Sequence, residues 1–408
     1  MSKRQKLMPK RQKLMSNRQE LMSQRRFETR AIHEGQSADE STGATIVPVY
    51  QTVTFTQDAV GQHKGYEYSR SGNPTRIALE KCLASLEGGR YGLAYGSGMA
   101  AIHGATQLLE SGDHVVVADD LYGGSFRLFT EVLPNYGVHF TYVDGTRPEE
   151  IDKACEPATK MIWIESPTNP MLRLIDLAAC GEIAARHACW LVVDNTFATP
   201  FLQNPLALGA HIVVHSTTKY IGGHSDVIGG AVIVDDEEMA NKLQFTRNAT
   251  GGVPGPWDAW LTLRGTKTLA LRMRQHEANA TRVAEFLLGR PEVERVYFPG
   301  LPDHPGHQLA KKQMRGFGGM VTIDLVGGEP AALAFCAATR LFSLAESLGG
   351  VESLIGYPWS MSHGAFPAEE KRRKGISERT VRLSVGIEHV DDLCEDLDQA
   401  LRAAANTG

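Results

Sequence analysis

The sequence predicts an α/β protein in which a large parallel-sheet domain precedes a smaller α+β domain, and three observations carry that reading. First, 408 residues can bury two ordinary cores, because single cores stop growing near ~250–300 residues. Second, Val- and Ile-rich runs punctuate residues 90–235: His114–Ala118, Met161–Ile164, Trp190–Val193, His211–Val214 and Ala231–Val234. They are apolar on both faces, as strands covered from both sides of a parallel sheet must be. Stretches of roughly 20–30 residues separate most of them, enough for a crossover helix. Third, the pattern changes beyond about Gly255. Arg272–Leu288 reads as a long amphipathic helix, and Val293–Tyr297 and Met320–Leu325 read as strands. Val390–Ala404, with Leu393, Leu397 and Leu401 at four-residue steps, reads as a closing helix.

The ends differ from these two units. Residues 1–26 hold nine Lys and Arg against the single acid Glu20, which leaves 33 basic and 46 acidic residues elsewhere, a balance of −13. This basic segment repeats with a seven-residue step: Lys3-Arg4-Gln5-Lys6-Leu7-Met8, then Lys10–Met15, then Asn17–Met22. A Leu-Met stripe could be one side of a helix, but three repeats barely sustain a coiled coil, so a disordered extension is the expectation. A transit peptide is a third reading, weakened by the scarcity of Ser. Residues 27–75 carry turn formers and little periodicity, as an arm wrapping a neighbouring subunit would. The expected division is thus 1–26, 27–75, 76–265 and 266–408.

Composition excludes several classes. With 42% hydrophobic and 22% charged residues the chain is globular, and a net charge of −5 gives no reason to expect nucleic acid. No apolar run reaches the ~18 residues of a membrane span. The six cysteines, Cys82, Cys155, Cys180, Cys189, Cys336 and Cys394, form no CxxC pair, which suits reduced thiols in the cytoplasm and argues against a metal site.

Four motifs converge on one chemistry. Ser216-Thr217-Thr218-Lys219 follows the run His211–Val214, and the carboxyl end of a strand is where open α/β sheets bind ligands. Burial there lowers a lysine pKa, as a Schiff-base nucleophile needs, while the Ser216 and Thr218 hydroxyls can bond a phosphate. Alone, a lysine after a strand is usually solvated. Val192-Val193-Asp194-Asn195-Thr196 ends an apolar strand on an acid that needs a partner; it could be a helix cap, or the acid that keeps a pyridine nitrogen protonated. Tyr95-Gly96-Ser97-Gly98-Met99 opens a helical pattern running to Leu109, which is either a tight turn or an anion cradle. Tyr122, after Asp119-Asp120, can stack on a flat ring or belong to a core. Anchor, ring acid, phosphate cradle and stacking face together are the needs of pyridoxal phosphate.

At these residues the chain resembles the Cys/Met-metabolism enzymes that use pyridoxal phosphate, and within them the cystathionine γ-lyase group, over residues 28–405. The resemblance rests on Tyr66–Thr75, Glu165-Ser166-Pro167-Thr168-Asn169-Pro170, Thr218-Lys219-Tyr220 with Gly223–Val227, Leu344–Gly350 and Arg382–Gly386. It implies an aspartate-aminotransferase-like fold (fold type I) with a mostly parallel seven-stranded sheet, and a homotetramer built from two dimers. It also implies roles. Lys219, Tyr122 and Asp194 would be catalytic. Gly98, Met99, Asn169, Thr196, Ser216 and Thr218 would join them around the cofactor, with Asn169 at the ring hydroxyl. Tyr68 and Arg70 would reach the phosphate of a partner's cofactor. Arg382 and Ser347 would clamp the substrate carboxylate, with Arg127, Glu346 and Tyr68 also facing the substrate.

The resemblance further implies γ-elimination of L-cystathionine to cysteine, 2-oxobutyrate and ammonia, with hydrogen sulfide released from cysteine or homocysteine. In that scheme the substrate amine displaces Lys219, which then takes the Cα proton. Cystathionine β-lyases tend to carry an aromatic residue where this chain has Glu346, and methionine γ-lyases a cysteine where it has Gly124. Cystathionine γ-synthase shares site and intermediate and stays open as the alternative. The Trp359-Ser360 loop is expected near the substrate.

Overall fold

A computed structural model of the chain describes residues 25–364 and 366–406. The basic repeat, up to residue 24, lies outside the described residues. Two sheets organise the rest. The larger has seven strands: β1 (Tyr91–Tyr95), β2 (His114–Ala118), β3 (His139–Val143), β4 (Thr159–Glu165), β5 (Trp190–Asp194), β6 (Ile212–Ser216) and β7 (Gly230–Val234). Their spatial order is β1-β7-β6-β5-β4-β2-β3. From β6 through β3 every pair is parallel, whereas β7 is antiparallel to both β6 and β1.

The mostly parallel sheet agrees with the sequence, but Ala231–Val234 does not join it in parallel. The connection from β6 to β7 contains no helix, so the chain turns straight back on itself. That helix-free connection carries Lys219. Two strands, β1 and β3, have no counterpart among the five runs. β3 is an edge strand whose residues are half-buried or exposed, and it therefore lacks a two-sided apolar signature.

β2, β5 and β7 are almost wholly buried, and their two faces feed separate cores. Val115, Val117, Val192, Val214 and Val232 face one cluster with Trp163 and Phe129. Val116, Ile162, Ile164 and Val193 face another with Leu177 and Ile183. Each such side chain contributes about 1.5–3 kcal/mol on burial, so the register that fixes both faces is strongly specified.

Helices are closed by local chemistry. Asn73 caps the helix Pro74–Glu87 by accepting from Thr75 N and Arg76 N, and Gly88 ends it at φ 83°. Ser97 caps Gly98–Thr106 by accepting from Ala100 N. The segment before residue 75 packs into the core of the larger unit. Ala31 and Val47 are buried in a core cluster with Leu79, Leu83 and Leu263, Phe27 packs edge-on to Phe201, and Trp260 donates to the Val47 carbonyl at 3.0 Å. These anchors are single residues without period, which is why the pattern hid them.

The second sheet has five strands, β8 (Val293–Tyr297), β9 (Met320–Leu325), β10 (Ser343–Leu344), β11 (Leu354–Gly356) and β12 (Thr380–Ser384), in the order β10-β11-β12-β9-β8. Two helices flank it, Leu269–Leu288 and Val390–Ala405. Leu393, Leu397 and Leu401 bury against Val321, Ile323 and Phe335, as their spacing requires.

Candidate active site

The carboxyl ends of neighbouring parallel strands deliver the polar side chains. β4 and β5 run in register with Glu165 beside Asp194, and β6 ends next to them at Ser216, three residues before Lys219. A cavity of about 590 Å³ opens there. Ser97, Gly98 and Met99 line it at the start of the helix Gly98–Thr106, whose first N–H groups have no partner within the helix. The second sheet supplies the opposite wall through Glu346, Ser347 and Arg382.

Lys219 is half-buried, and its Nζ donates to Ser347 Oγ at 2.8 Å. Burial first, and then the Arg382 charge, push its pKa down to about 8 against a smaller upward pull from Glu346. Arg382 is 5% exposed and is held from two sides, Nη1 donating to Asn169 Oδ1 at 2.9 Å and Nη2 to the Ser347 carbonyl at 2.8 Å. Ser347 sits at φ 93°, a strained conformation for a residue with a side chain, and these bonds hold it there.

Asp194 and Glu165 form a buried carboxylate pair. Burial raises the Asp194 pKa, against bonds from Thr196, whose N–H donates to Oδ1 at 3.0 Å. Glu165 is pushed well up, by burial and then by Asp194. Two such anions side by side resist double ionisation, so the pair favours one proton and one charge. Glu165 also accepts the backbone N–H of Tyr122 at 2.8 Å, fixing the residue whose ring stands 41% exposed at the mouth. Thr196 Oγ1 accepts the Ser216 N–H at 2.9 Å, tying the ends of β5 and β6 together.

One cavity therefore gathers Gly98, Met99, Tyr122, Arg127, Asn169, Asp194, Thr196, Ser216, Thr218, Lys219, Glu346, Ser347 and Arg382. Tyr68 and Arg70 do not line it. They lie within residues 27–75, where Arg70 Nη1 donates to the Asn248 carbonyl at 3.2 Å and the guanidinium stands 5.7 Å from the Tyr68 ring centroid. Trp359 and Ser360 also stay off the lining; Met361 and Ser362, two residues on, reach it, while the Trp359 ring faces Lys371 Nζ at 4.4 Å.

The sequence profile of the Cys/Met metabolism PLP-dependent enzymes matches residues 28–402. The chain belongs to this family. Its relatives include the cystathionine gamma-lyase of Bacillus subtilis, 51% identical over 92% of this chain and 98% of that protein. The cystathionine gamma-synthase of Mycobacterium tuberculosis is 52% identical over 91% and 96%, and the cystathionine beta-lyase of Lactococcus lactis 50% identical over 92% and 98%. The crystal structure of cystathionine gamma-lyase from Lactobacillus plantarum complexed with L-serine superposes with a TM-score of 0.91 at 45% identity, covering 93% of this chain and 100% of that one.

The family's cofactor is pyridoxal 5'-phosphate, and the residues present fit it. A Cβ on Gly98 would stand 2.7 Å from Ser216 Cβ, so the cradle closes only around glycine. Asp194 offers a buried acid for the ring nitrogen, Lys219 a weakened amine for the aldehyde, and Ser216 and Thr218 offer hydroxyls for the phosphate. Among the wall residues that motif reading passed over, Glu165 is the buried acid beside Asp194. An acid at the end of the run Met161–Ile164 was the available signal, equivalent to the one that singled out Asp194.

Proposed function

We infer that the protein catalyses γ-elimination of L-cystathionine, giving cysteine, 2-oxobutyrate and ammonia with uptake of water. The observation that carries this reading is the acidic Glu346 on the same wall as Arg382 and Ser347. Cystathionine has an amino-acid group at each end. Arg382 suits the α-carboxylate of the reacting end by bidentate contact, while the Glu346 carboxylate suits the ammonium of the distal end.

Pyridoxal phosphate supplies the electron sink for deprotonation at Cα. Lys219, released from its covalent role, takes the Cα proton, and its depressed pKa keeps a fraction of the amine uncharged near neutrality. Asp194 holds the proton on the ring nitrogen. Asn169, its oxygen engaged by Arg382, has its amide N–H groups for the ring hydroxyl. Tyr122, at the mouth, hands a proton to the departing sulfur. Tyr68 and Arg70, remote from their own cavity, reach the phosphate of a partner subunit in a dimer that pairs into a tetramer. Homocysteine enters the same γ-elimination and cysteine, whose sulfur sits on Cβ, a β-elimination, each releasing hydrogen sulfide, in a cytoplasmic protein. No helix among the described residues is long and apolar enough to cross a membrane.

The relative named cystathionine gamma-synthase, at 52% identity, favours a second reading in which the same pocket joins cysteine to an activated homoserine ester. Incubating the purified protein with L-cystathionine and identifying the products separates the readings. Cysteine with 2-oxobutyrate is expected; homocysteine with pyruvate marks β-elimination, and no turnover directs the test to O-acylhomoserine and cysteine.

Arg382→Lys provides an internal check. A lysine cannot reproduce the two-pronged bond to a carboxylate, so KM for cystathionine is expected to rise ~10–100-fold with a smaller change in kcat. Steady-state kinetics on the variant measures the split.

A further inference from the structure

A buried polar network lies against the strand ends that line the cavity. At its centre is Glu87, the last residue of the helix Pro74–Glu87 and 1% exposed. Its Oε1 accepts from His215 Nε2 at 2.5 Å and from Asn195 Nδ2 at 2.8 Å, and its Oε2 accepts from Asn204 Nδ2 at 3.2 Å. Asn195 bonds both ways with Gln203: Asn195 Nδ2 donates to the Gln203 carbonyl and Gln203 Nε2 to Asn195 Oδ1, each at 2.9 Å. Gln203 Nε2 reaches on to the Ser166 carbonyl at 2.9 Å. His215, Asn195, Gln203 and Ser166 are all buried, and neither they nor Glu87 line the cavity.

Three of these residues each stand one position from a residue that does line it. Ser166 follows Glu165, Asn195 follows Asp194, and His215 precedes Ser216. Along β6, alternation turns His215 to the face opposite Ser216. A carboxylate only accepts, so His215 Nε2 carries the hydrogen; His215 Nδ1 has no partner among the described residues, and Glu87 alone fixes the ring by hydrogen bonding. A well-packed apolar set of the same volume would be about as stable as such a network. What the polar set adds is direction: it holds the strand ends to within about 0.5 Å, the tolerance a binding constellation needs.

We propose that Glu87 is a positioning residue for cofactor capture: through His215 and Asn195 its carboxylate sets where Ser216 and Asp194 meet pyridoxal phosphate. Its reach matters more than its charge, because both contacts are donors that a neutral amide oxygen also accepts. The inference holds whichever bond the site breaks, since it concerns the cofactor and not the substrate.

Two conservative variants of the full chain separate reach from charge. Glu87→Gln keeps the length and an oxygen for His215 and Asn195, while Asn204 Nδ2 retains the Leu86 carbonyl at 3.1 Å. Glu87→Asp keeps the charge but withdraws the carboxylate by about 1.5 Å, one carbon–carbon bond. Absorbance titration with pyridoxal phosphate reads the affinity, and induced circular dichroism reads the orientation of the bound ring. For Glu87→Gln the expected Kd lies within about threefold of the wild type, with an unchanged dichroic signal. For Glu87→Asp the Kd is expected to rise ~10–100-fold, with a weaker signal per bound cofactor. Wild-type affinity and dichroism in Glu87→Asp, even with a lower melting temperature, would make Glu87 structural only and overturn the proposal. A loss in Glu87→Gln as large as that in Glu87→Asp would overturn it too, because charge and not reach would then be at work. Should Glu87→Asp not fold, Asn195→Ser takes its place, because it cuts the Glu87 bond at the end of β5 alone. Its Kd is expected to rise ~10-fold or more, and a wild-type Kd there would refute the role of Glu87.

Discussion

Lys219→Ala is expected to lower kcat by at least ~10³-fold, because one amine serves as covalent anchor and as general base. The side chain is buried against Ser347 rather than packed in a core, so the variant should fold, bind pyridoxal phosphate non-covalently, and lose the ~420 nm absorbance of the lysine-bound cofactor. Retention of that band and of turnover would remove Lys219 from the chemistry. The pKa of about 8 adds a direction with pH. Below it the protonated amine predominates, so the rate at which cofactor-free protein captures pyridoxal phosphate should rise about tenfold per pH unit and level off above it. Stopped-flow absorbance at several pH values measures the midpoint; a midpoint near the ordinary lysine value would mean that burial and Arg382 do not act on the amine as the geometry requires.

Lys374→Met is expected to destabilise the fold by about 3 kcal/mol or more and to reduce kcat together. Lys374 is 2% exposed, its Nζ donates to the Asp119 carbonyl at 2.5 Å, and it lies 4.0 Å from the Phe366 ring centroid. Arg173 in turn donates to the Lys374 carbonyl at 2.9 Å. Burial lowers the lysine pKa, and the charges of Asp120 and Asp119 oppose that shift. Removing the cation would leave two buried carboxylates, Asp119 and Asp120, without it. These residues lead directly into Tyr122, so the loss reaches the mouth of the cavity as well as the stability. Urea unfolding and steady-state kinetics on the same preparation measure both. A stable variant with normal kcat would show that the clasp does not hold the Tyr122 loop.

That clasp also marks where the sequence stops being legible. The strands of the large sheet could be read because their Val and Ile runs are covered from both sides, and their ends pointed to Asp194 and Lys219. β1 carries Tyr and Gly in place of a continuous run, and β3 lies half-exposed at an edge, so neither stood out. The direction of β7 depends on whether a connection contains a helix, which composition alone did not convey for residues 217–229. Arg382 and Asn169 are 213 residues apart, and Lys374 and Asp119 are 255 apart. No spacing rule reaches that far; the resemblance named Arg382 and Asn169 separately without their bond, and the Lys374 clasp was not anticipated at all. Glu165 was visible as a strand-end acid but was hidden by the motif that contained it.

The two walls of the cavity come from different sheets. Residues on β4, β5 and the β6 end line one side of it, while Glu346, Ser347 and Arg382 come from around β10 and β12. The pocket is thus assembled from stretches of chain that lie far apart in sequence. The two stretches meet through the bonds of Lys219 to Ser347 and of Arg382 to Asn169, so a change on one wall is felt on the other. Relatives about equally distant from this chain bear the names of three different reactions, so overall identity does not decide which bond such a pocket breaks.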